Sequence, residues 1–258
     1  MRKQFVRLFF LLGICLGILS SGYCHKRDTL SLKQLCFIAN QGQWEAPFLY
    51  KAKLNGAVLF AETDRLTIAI PNQEQLSRFV EAKMDAQLSS DGLVDISAYQ
   101  MIFKGCLSTS TISGHDQLSA HHNYMLGNHN QRWVSRVPLY HELSYTNLYE
   151  GISLHLFQRG NKLKYEFIIS EEANPQQIAI EYAGANSLAL NNGNLLIKTD
   201  MGQTLEMAPF AYQLNDKGDT VVVSCKFILN KNTVTEQQIH LFVRHGRGHH
   251  ARQNVSRL

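Results

Sequence analysis

Alternation of large apolar and polar residues, interrupted by short turns rich in Gly, Asn and Asp, runs through most of this chain. The clearest case is residues 162–169, where every second position is large and apolar: Leu163, Tyr165, Phe167 and Ile169. On an extended strand these side chains share one face. The alternating run 152–157 precedes it, and the intervening Gly160-Asn161 is typical of a β-hairpin turn. This period of two excludes a mainly helical fold.

The same pattern predicts further strands at 57–62, 65–70, 178–182, 187–190, 195–198, 210–214 and 221–229. One segment, 72–88, instead has apolar residues at helical spacing and predicts a helix. Short strands joined by Gly/Asn/Asp turns are typical of a sandwich or a barrel. We therefore predict an all-β fold, an antiparallel β-sandwich of two packed sheets with at most one or two short helices. No Pro/Ser-rich linker divides residues 36–243, which favours one module there.

The N-terminus has the three parts of a secretory signal peptide. Arg2, Lys3 and Arg7 precede an uncharged apolar run, residues 8–19, and small residues follow at 20–22. The run is too short to span a bilayer, which takes roughly 20 residues. We predict that residues 1–24 are a removable leader, that the protein is exported, and that the mature chain has no transmembrane span. Cleavage after Gly22 and after Cys24 both fit, and lipidation of Cys24 stays open.

Net charge at first suggests a nucleic-acid partner, because the chain carries a formal +4. The excess lies at the two ends, in the leader and in the arginines of the basic segment 244–258. Residues 25–240 hold 18 basic and 21 acidic residues, so the body is mildly acidic. We predict no nucleic-acid partner.

Chemically reactive residues form no recognisable constellation. Cys36, Cys106 and Cys225 are too far apart in sequence for a metal knuckle. One disulfide among them and burial as small hydrophobic residues both remain open. His115, His121-His122 and His129 lack metal-ligand spacing, so we interpret 120–124 and 128–131 as solvated loop. We predict no catalytic, cofactor-binding or metal-binding residue, no cofactor and no enzymatic activity.

Aromatic residues suggest one sharper hypothesis, a sugar-stacking platform built by Trp44, Trp133, Tyr140, Tyr145 and Tyr149. The alternative, which we favour, is that these side chains pack the core and its turns.

Several runs, taken in order, resemble one known family. They are residues 37–44 (Phe-Ile-Ala-Asn-Gln-Gly-Gln-Trp), 123–128 with Trp133, 137–140, 145–152, 163–167, 173–178, 208–213 and 223–229. This series is similar to an uncharacterised N-terminal domain of secreted bacterial surface proteins of the gliding-motility-associated, PKD-repeat and propeller-repeat kinds. The resemblance implies an all-β extracellular module without an established catalytic activity, located outside the cell or on the outer-membrane surface.

Physically, the motifs of this series suit turns. Gly42, Gly127 and Gly151 suit backbone with positive φ, and Asn40, Asn128 and Asn147 suit turns capped by a side chain. The histidines at 115–122 and His129 lie outside the family pattern, and residues 244–258 do not match its closing strand. We interpret that tail as truncated or out of frame, the alternative being a disordered basic tail.

The function that these features favour is a non-enzymatic surface or secreted module, the N-terminal part of an adhesion or gliding-motility-associated protein. Its partner would be a protein or a glycan at the cell surface. The alternative is a carbohydrate-binding or carbohydrate-active domain, the latter with a pair of carboxylates in an aromatic-lined cleft.

Overall fold

A computed structural model describes residues 5–13, 35–84, 92–127, 133–159, 162–215, 219–231 and 237–243; for residues 5–13, 83–84, 231 and 237–243 it describes the backbone alone. The helix is α1 (Gln73–Met84), and a 3-10 turn spans Pro175–Gln177. The strands in chain order are β1 (Phe5–Gly13), β2 (Phe37–Ala39), β3 (Tyr50–Leu54), β4 (Ala57–Ala61), β5 (Arg65–Pro71), β6 (Ile96–Phe103), β7 (Thr111–Tyr124), β8 (Val134–Tyr149), β9 (Ile152–Arg159), β10 (Lys162–Ser170), β11 (Ala179–Ala183), β12 (Ser187–Asn191), β13 (Asn194–Thr199), β14 (Gly202–Glu206), β15 (Phe210–Leu214), β16 (Thr220–Val223), β17 (Cys225–Lys231) and β18 (Gln237–Val243).

Every strand pairing among the described residues is antiparallel. The main sheet runs through neighbours in the order β17, β18, β11, β6, β5, β4, β3, β2, β8, β9, β10 and β1. Long β8 pairs with β7 on one edge, and on its other edge with β2 and then with β9. The sheet therefore curls.

A smaller layer consists of the β12–β13–β14 meander and the β15–β16 hairpin. It packs against the main sheet where β12 and β15 contact β17 and where β13 contacts β6. The predicted all-β, antiparallel, sandwich-like fold is therefore confirmed.

Alternation decides which side chains enter the core. In β5, Leu66, Ile68 and Ile70 are buried and the residues between them are partly exposed. The predicted face of Leu163, Tyr165, Phe167 and Ile169 is buried in the same way. Because each strand contributes one apolar face, the buried residues form one continuous cluster across both layers.

The predicted helix exists as α1, whose first turn is capped by Asn72. Its Oδ1 accepts hydrogen bonds from the backbone N–H groups of Glu74 and Gln75, each at 3.1 Å. The helix is only lightly covered, with Val80 exposed. It therefore adds little to the core.

Two predictions of local structure are wrong. The predicted strand 221–229 is broken at Ser224, because β16 pairs with β15 whereas β17 pairs with β18. Residues 120–124 are not loop but the end of β7, which pairs with β8 although its side chains are mostly exposed. A strand without a buried face shows no alternation of apolar residues.

Several predictions concern residues outside the described ranges: the Gly160-Asn161 turn, residues 128–131, Cys24 and the tail 244–258. The predicted leader overlaps β1, and its removal stays a prediction. In the part of the chain that the structure describes, no helix is long and apolar enough to span a bilayer.

Candidate functional site

The loop between β2 and β3 is organised by one amide side chain. Nδ2 of Asn40 donates hydrogen bonds to the carbonyl oxygens of Trp44 at 3.1 Å, Ala46 at 3.3 Å and Phe48 at 3.0 Å. Its Oδ1 accepts from the backbone N–H of Gly42 at 3.2 Å, and Gly42 has a φ of 99°. The predicted roles of Asn40 and Gly42 in a capped turn are thus confirmed. Their effect is to fix the backbone of Trp44 and Phe48 in the loop that precedes β3.

Trp44 lies in a small group of aromatic rings. Its ring contacts Phe48 at a centroid distance of 5.6 Å and Tyr124, the last residue of β7, edge-on at 4.9 Å. Phe48 in turn contacts Phe60 of β4 at 4.8 Å. Three different parts of the chain therefore build one aromatic surface.

Lys51 completes this group with a positive charge. It pairs with Phe60 across β3 and β4, so both side chains lie on the same face of the sheet. Its Nζ lies 5.0 Å from the ring centroid of Trp44 and 5.6 Å from that of Phe60, within range of cation–π attraction. Partial burial lowers the pKa of the Lys51 ammonium group.

These side chains line an open pocket of about 490 Å³, here called the Trp44 pocket. Its lining residues are Gln43, Trp44, Glu45, Ala46, Phe48, Lys51, Phe60, Leu126 and Gly127. Glu45 is the single carboxylate among them. A pocket with aromatic walls, one ammonium group and one carboxylate can bind a ligand by stacking and by charge, but it lacks the carboxylate pair of a glycosidase.

The five aromatic residues of the predicted platform do not lie together. Tyr145 and Tyr149 are buried, and their hydroxyls donate to the carbonyl oxygens of Glu62 at 2.8 Å and Ala179 at 3.1 Å. Tyr140 is partly buried against the core. These three are packing residues, as the favoured alternative predicts.

Trp133 remains close to the pocket without lining it. Its side chain is 47% exposed, and its Nε1 donates a 3.3 Å hydrogen bond to the carbonyl oxygen of Gly127, a lining residue.

Gly127 and Gly151 have φ values of 65° and 69°, as predicted for their turns. Asn147 is itself in left-handed backbone, with a φ of 51°.

A second polar arrangement lies inside the protein, around Glu206 of β14. This side chain is fully buried, and its Oε2 and Oε1 accept hydrogen bonds from the hydroxyls of Tyr165 and Tyr182, each at 2.8 Å. Burial raises the pKa of Glu206 to about 7, although both tyrosine hydrogen bonds oppose that change. Burial and the nearby Glu206 carboxylate raise the pKa values of Tyr99, Tyr165 and Tyr182.

A third arrangement places an imidazole between two carboxylates on neighbouring strands. Nε2 of His155 lies 2.9 Å from Oε2 of Glu142, and its Nδ1 lies 3.4 Å from Oε1 of Glu166. The hydrogen bond to Glu166 makes the largest contribution to raising the pKa of His155, with Glu142 adding to it.

The candidate metal ligands are dispersed. His115 lies beside the hydroxyl of Ser113 at 3.0 Å, and His122 beside that of Tyr124 at 3.0 Å. His129 is outside the described residues, within which no group of three or more His, Cys, Asp or Glu side chains is placed to hold a metal ion.

The cysteines of the body, Cys36, Cys106 and Cys225, are free and partly buried in the structure. Of the two alternatives that the sequence left open, the structure therefore has free thiols. Burial raises the pKa of Cys225 to about 11, which makes its thiolate scarce and its thiol unreactive.

Sequence reasoning finds Trp44 but misses Phe48, Lys51, Phe60 and Glu206. The first three come together only through the β3–β4 pairing and the fold of the preceding loop. Glu206 stands in a polar-looking segment, and no local signal marks it as buried. Its cross-strand partner Leu195 is buried, but that pairing is visible only in the fold.

Comparison with known proteins gives a family and no further relative. No curated protein and no solved structure matches the chain. The family model described as "Domain of unknown function (DUF7948)" matches residues 37–240. That range covers most of the chain and includes the Trp44 pocket, the Glu206 cluster and the strands that carry both. The chain therefore belongs to the DUF7948 family of domains of unknown function.

Proposed function

We propose that this chain is an exported, non-enzymatic module of a surface or secreted protein, and that it contacts its ligand through the Trp44 pocket. The observation that carries the proposal is the pocket itself, which is lined by three aromatic side chains and by Lys51, with Lys51 over two of the rings. Binding residues commonly lie on loops that a rigid scaffold positions. The signal-like N-terminus supports export, and the resemblance to N-terminal domains of gliding-motility-associated proteins supports a role in adhesion or motility.

A glycan is the ligand that the pocket chemistry favours first. Sugar rings stack on Trp through their apolar C–H faces, and Trp44 is partly exposed in the pocket wall. The ammonium group of Lys51 lies over that ring. A negatively charged group on a sugar bound there would be attracted to this ammonium group. An acidic glycan is therefore the expected best ligand.

The test is a glycan array read with three proteins: the wild type, Trp44→Ala and Phe210→Ala. Phe210 is an aromatic residue that is 47% exposed and does not line the pocket, so it serves as the control. We expect the Trp44 variant to lose at least about tenfold in binding, in line with about 1–3 kcal/mol for an anchoring aromatic residue. Equal binding by the wild type and the Trp44 variant would exclude the pocket as the contact site.

Export is tested separately by expression in a secreting host and N-terminal sequencing of the protein outside the cytoplasm. We expect the sequence to begin after residue 22 or residue 24. A protein that stays in the cytoplasm, or that is exported with residues 1–24 attached, would contradict the export part of the proposal.

The carbohydrate-active alternative has one specific observation in its favour, the Glu142–His155–Glu166 arrangement. Two carboxylates on opposite sides of one imidazole could exchange protons with a substrate. Hydrolysis of chromogenic glycosides by the wild type, abolished in Glu142→Gln, would establish it. Equal, background-level rates in both proteins would support the non-enzymatic function.

A further inference from the structure

Strand β1 lies between two parts of the fold that no other described strand pairing connects. On one edge, Phe5–Leu12 pair with β10. On the other edge, residues 6–9 pair with β15, and Leu12 and Gly13 pair with β14. Neighbouring strands in a sheet lie about 4.8 Å apart. β10 and β15 are therefore separated by roughly twice that distance, and β1 lies between them.

This strand falls within the segment that the sequence predicts to be a removable leader. If residues 1–24 are removed on export, β10 and β15 lose their partner at the same time. Two facing rows of backbone N–H and C=O groups are then unpaired, and such edges readily take up another strand. The space left between them is here called the strand slot, bounded by residues 163–169 of β10 and by 205–206 and 210–213 of β14 and β15.

The strand slot selects for apolar residues at alternate positions. Val6, Leu8, Phe10 and Leu12 are the register partners of Ile169, Phe167, Tyr165 and Leu163, each of which is buried. On the opposite edge, Leu8 is also paired with buried Ala211. A polar residue at the position of Leu8 would therefore be desolvated between two apolar partners. The positions of Val6 and Leu12 are paired on this edge with polar residues, Gln213 and Glu206.

Two segments outside the described ranges lack this pattern. Outside its described strands and helix, the residues from 25 onwards include 25–34 (His-Lys-Arg-Asp-Thr-Leu-Ser-Leu-Lys-Gln) and 244–258, which is rich in Arg and His. Neither has apolar residues at four alternate positions. Neither segment, whether from the same copy or from a second copy of the chain, therefore matches the pattern of β1.

We propose that the strand slot of the mature chain binds an extended strand of a partner protein, about nine residues long, antiparallel to β10 and apolar at alternate positions. In the full chain β1 occupies the same place and shows the geometry of that complex. The inference rests on the export part of the proposed function. It adds a partner class, a protein strand, and a binding mode, β-strand addition with hydrogen bonds on both edges.

The test uses the full chain, made by cell-free translation without membranes so that the leader is retained. A protease site inserted between residues 24 and 25 is cut after folding, and a fluorescent peptide of residues 2–13 is added in excess. We expect one labelled peptide to bind per chain by exchange with the cut segment. In the bound state, hydrogen exchange at 163–169 and 210–213 should be at least about tenfold slower than in the emptied protein.

Two peptide variants separate a strand complex from nonspecific apolar binding. Leu8→Pro removes one backbone donor in the middle of the paired segment, from the ladder to which that N–H points, and should weaken binding at least about tenfold. Gln4→Pro lies before the paired segment and should bind like the unmodified peptide. Equal binding by all three peptides would overturn the proposal.

Other outcomes are equally decisive. The backbone amides of 163–169 and 210–213 could remain equally protected from hydrogen exchange after the leader has been cut and washed away. This result would mean that the strand slot closes without a new strand. It would overturn the proposal but leave export unaffected. Protection through a homodimer would overturn the choice of a foreign partner. Recovery of the exported protein with residues 5–13 still attached would make β1 a permanent strand and would contradict both proposals.

Discussion

The hydroxyl of Tyr182 donates a 2.8 Å hydrogen bond to Oε1 of Glu206, a carboxyl group that is completely buried. The hydroxyl of Tyr165 donates to the other oxygen at the same distance. Strands β10, β11 and β14 thus meet around one titratable group in the core. Because water cannot solvate the carboxylate there, burial raises the pKa of Glu206 to about 7 from an ordinary 4.5.

The first prediction is a loss of stability with rising pH that depends on Glu206. Between pH 4.5 and 7 the folded protein keeps this proton while the unfolded chain releases it, so the contribution of Glu206 to the free energy of unfolding falls through that window and is constant on either side of it. The expected fall is about 3 kcal/mol. In Glu206→Gln, denaturant unfolding from pH 4 to 9 should lack it. The control Glu171→Gln, at an exposed position, should show the same decrease in the free energy of unfolding as the wild type. Loss of the decrease in this control would mean that Glu206 is not its cause.

The second prediction concerns the tyrosine donors. Tyr182→Phe removes one of two hydrogen bonds to the carboxylate and should cost about 2 kcal/mol at pH 8, where Glu206 is ionised. At pH 5 the cost should be smaller, because the protonated carboxyl needs fewer donors. Tyr149→Phe, which removes a hydrogen bond to a neutral carbonyl, is the matched control and should cost the same at both pH values. A pH-independent cost for Tyr182→Phe would contradict this account of the cluster.

The third prediction follows from the carboxylates on both sides of His155. Their hydrogen bonds and charges raise the pKa of this imidazole above its ordinary 6.5. Its stabilising contribution is therefore complete below pH 6.5 and is lost as the pH rises through the higher folded-state value. His155→Gln should destabilise the protein by about 1 kcal/mol more at pH 6 than at pH 9 in chemical unfolding. The control His122→Gln, at an exposed position, should show no such difference.

The fourth prediction tests a close approach between β7 and β8. A Cβ added at Gly114 would lie 2.4 to 2.7 Å from ring carbons of Tyr140, and the Gly114 N–H donates a 3.0 Å hydrogen bond to the Tyr50 hydroxyl. Gly114→Ala should lower the free energy of unfolding by about 1–3 kcal/mol, because the ring has to move. Gly92→Ala is the matched control, since nothing lies within 4 Å of its added Cβ. Similar unfolding midpoints for the two variants would rule out the contact.

The fifth prediction concerns Asn40, which holds the loop of the Trp44 pocket. Asn40→Asp has nearly the same shape but puts a carboxylate against three carbonyl oxygens that now accept hydrogen bonds from Nδ2. We expect it to lose about 2–4 kcal/mol near pH 7 and Asn40→Ala to lose less, because repulsion exceeds mere loss of the bonds. Trp fluorescence and thermal unfolding measure both. A milder effect of Asp than of Ala would contradict the role of Nδ2 as the donor.

Local pattern was enough to predict most strands of the body. The hairpin of β4 and β5 and that of β9 and β10 are confirmed, because alternation and turn residues act within a few residues of each other. A strand without a buried face, such as β7, has no alternation of apolar and polar residues, so the sequence pattern does not predict it. The break at Ser224 was equally hidden, since it arises from a change of partner between β16 and β17.

The Trp44 pocket likewise has one part that the local sequence predicts and one part that it does not. The Asn40-Gln-Gly-Gln-Trp44 turn is local, and its residues have the predicted roles. The neighbours that make Trp44 part of a pocket are not local, because Lys51 and Phe60 reach it only through the pairing of β3 with β4.

What the sequence by itself determined is the class of fold, the position of most strands and the turn that carries Trp44. Only the tertiary structure decided that Glu206 is enclosed by tyrosines from two other strands, and that residues 5–13 lie between β10 and β15. The physical reason is the range of the interactions. Backbone preference and alternation act along the chain, whereas burial, pKa and strand pairing depend on residues that are distant in sequence and adjacent only in the fold.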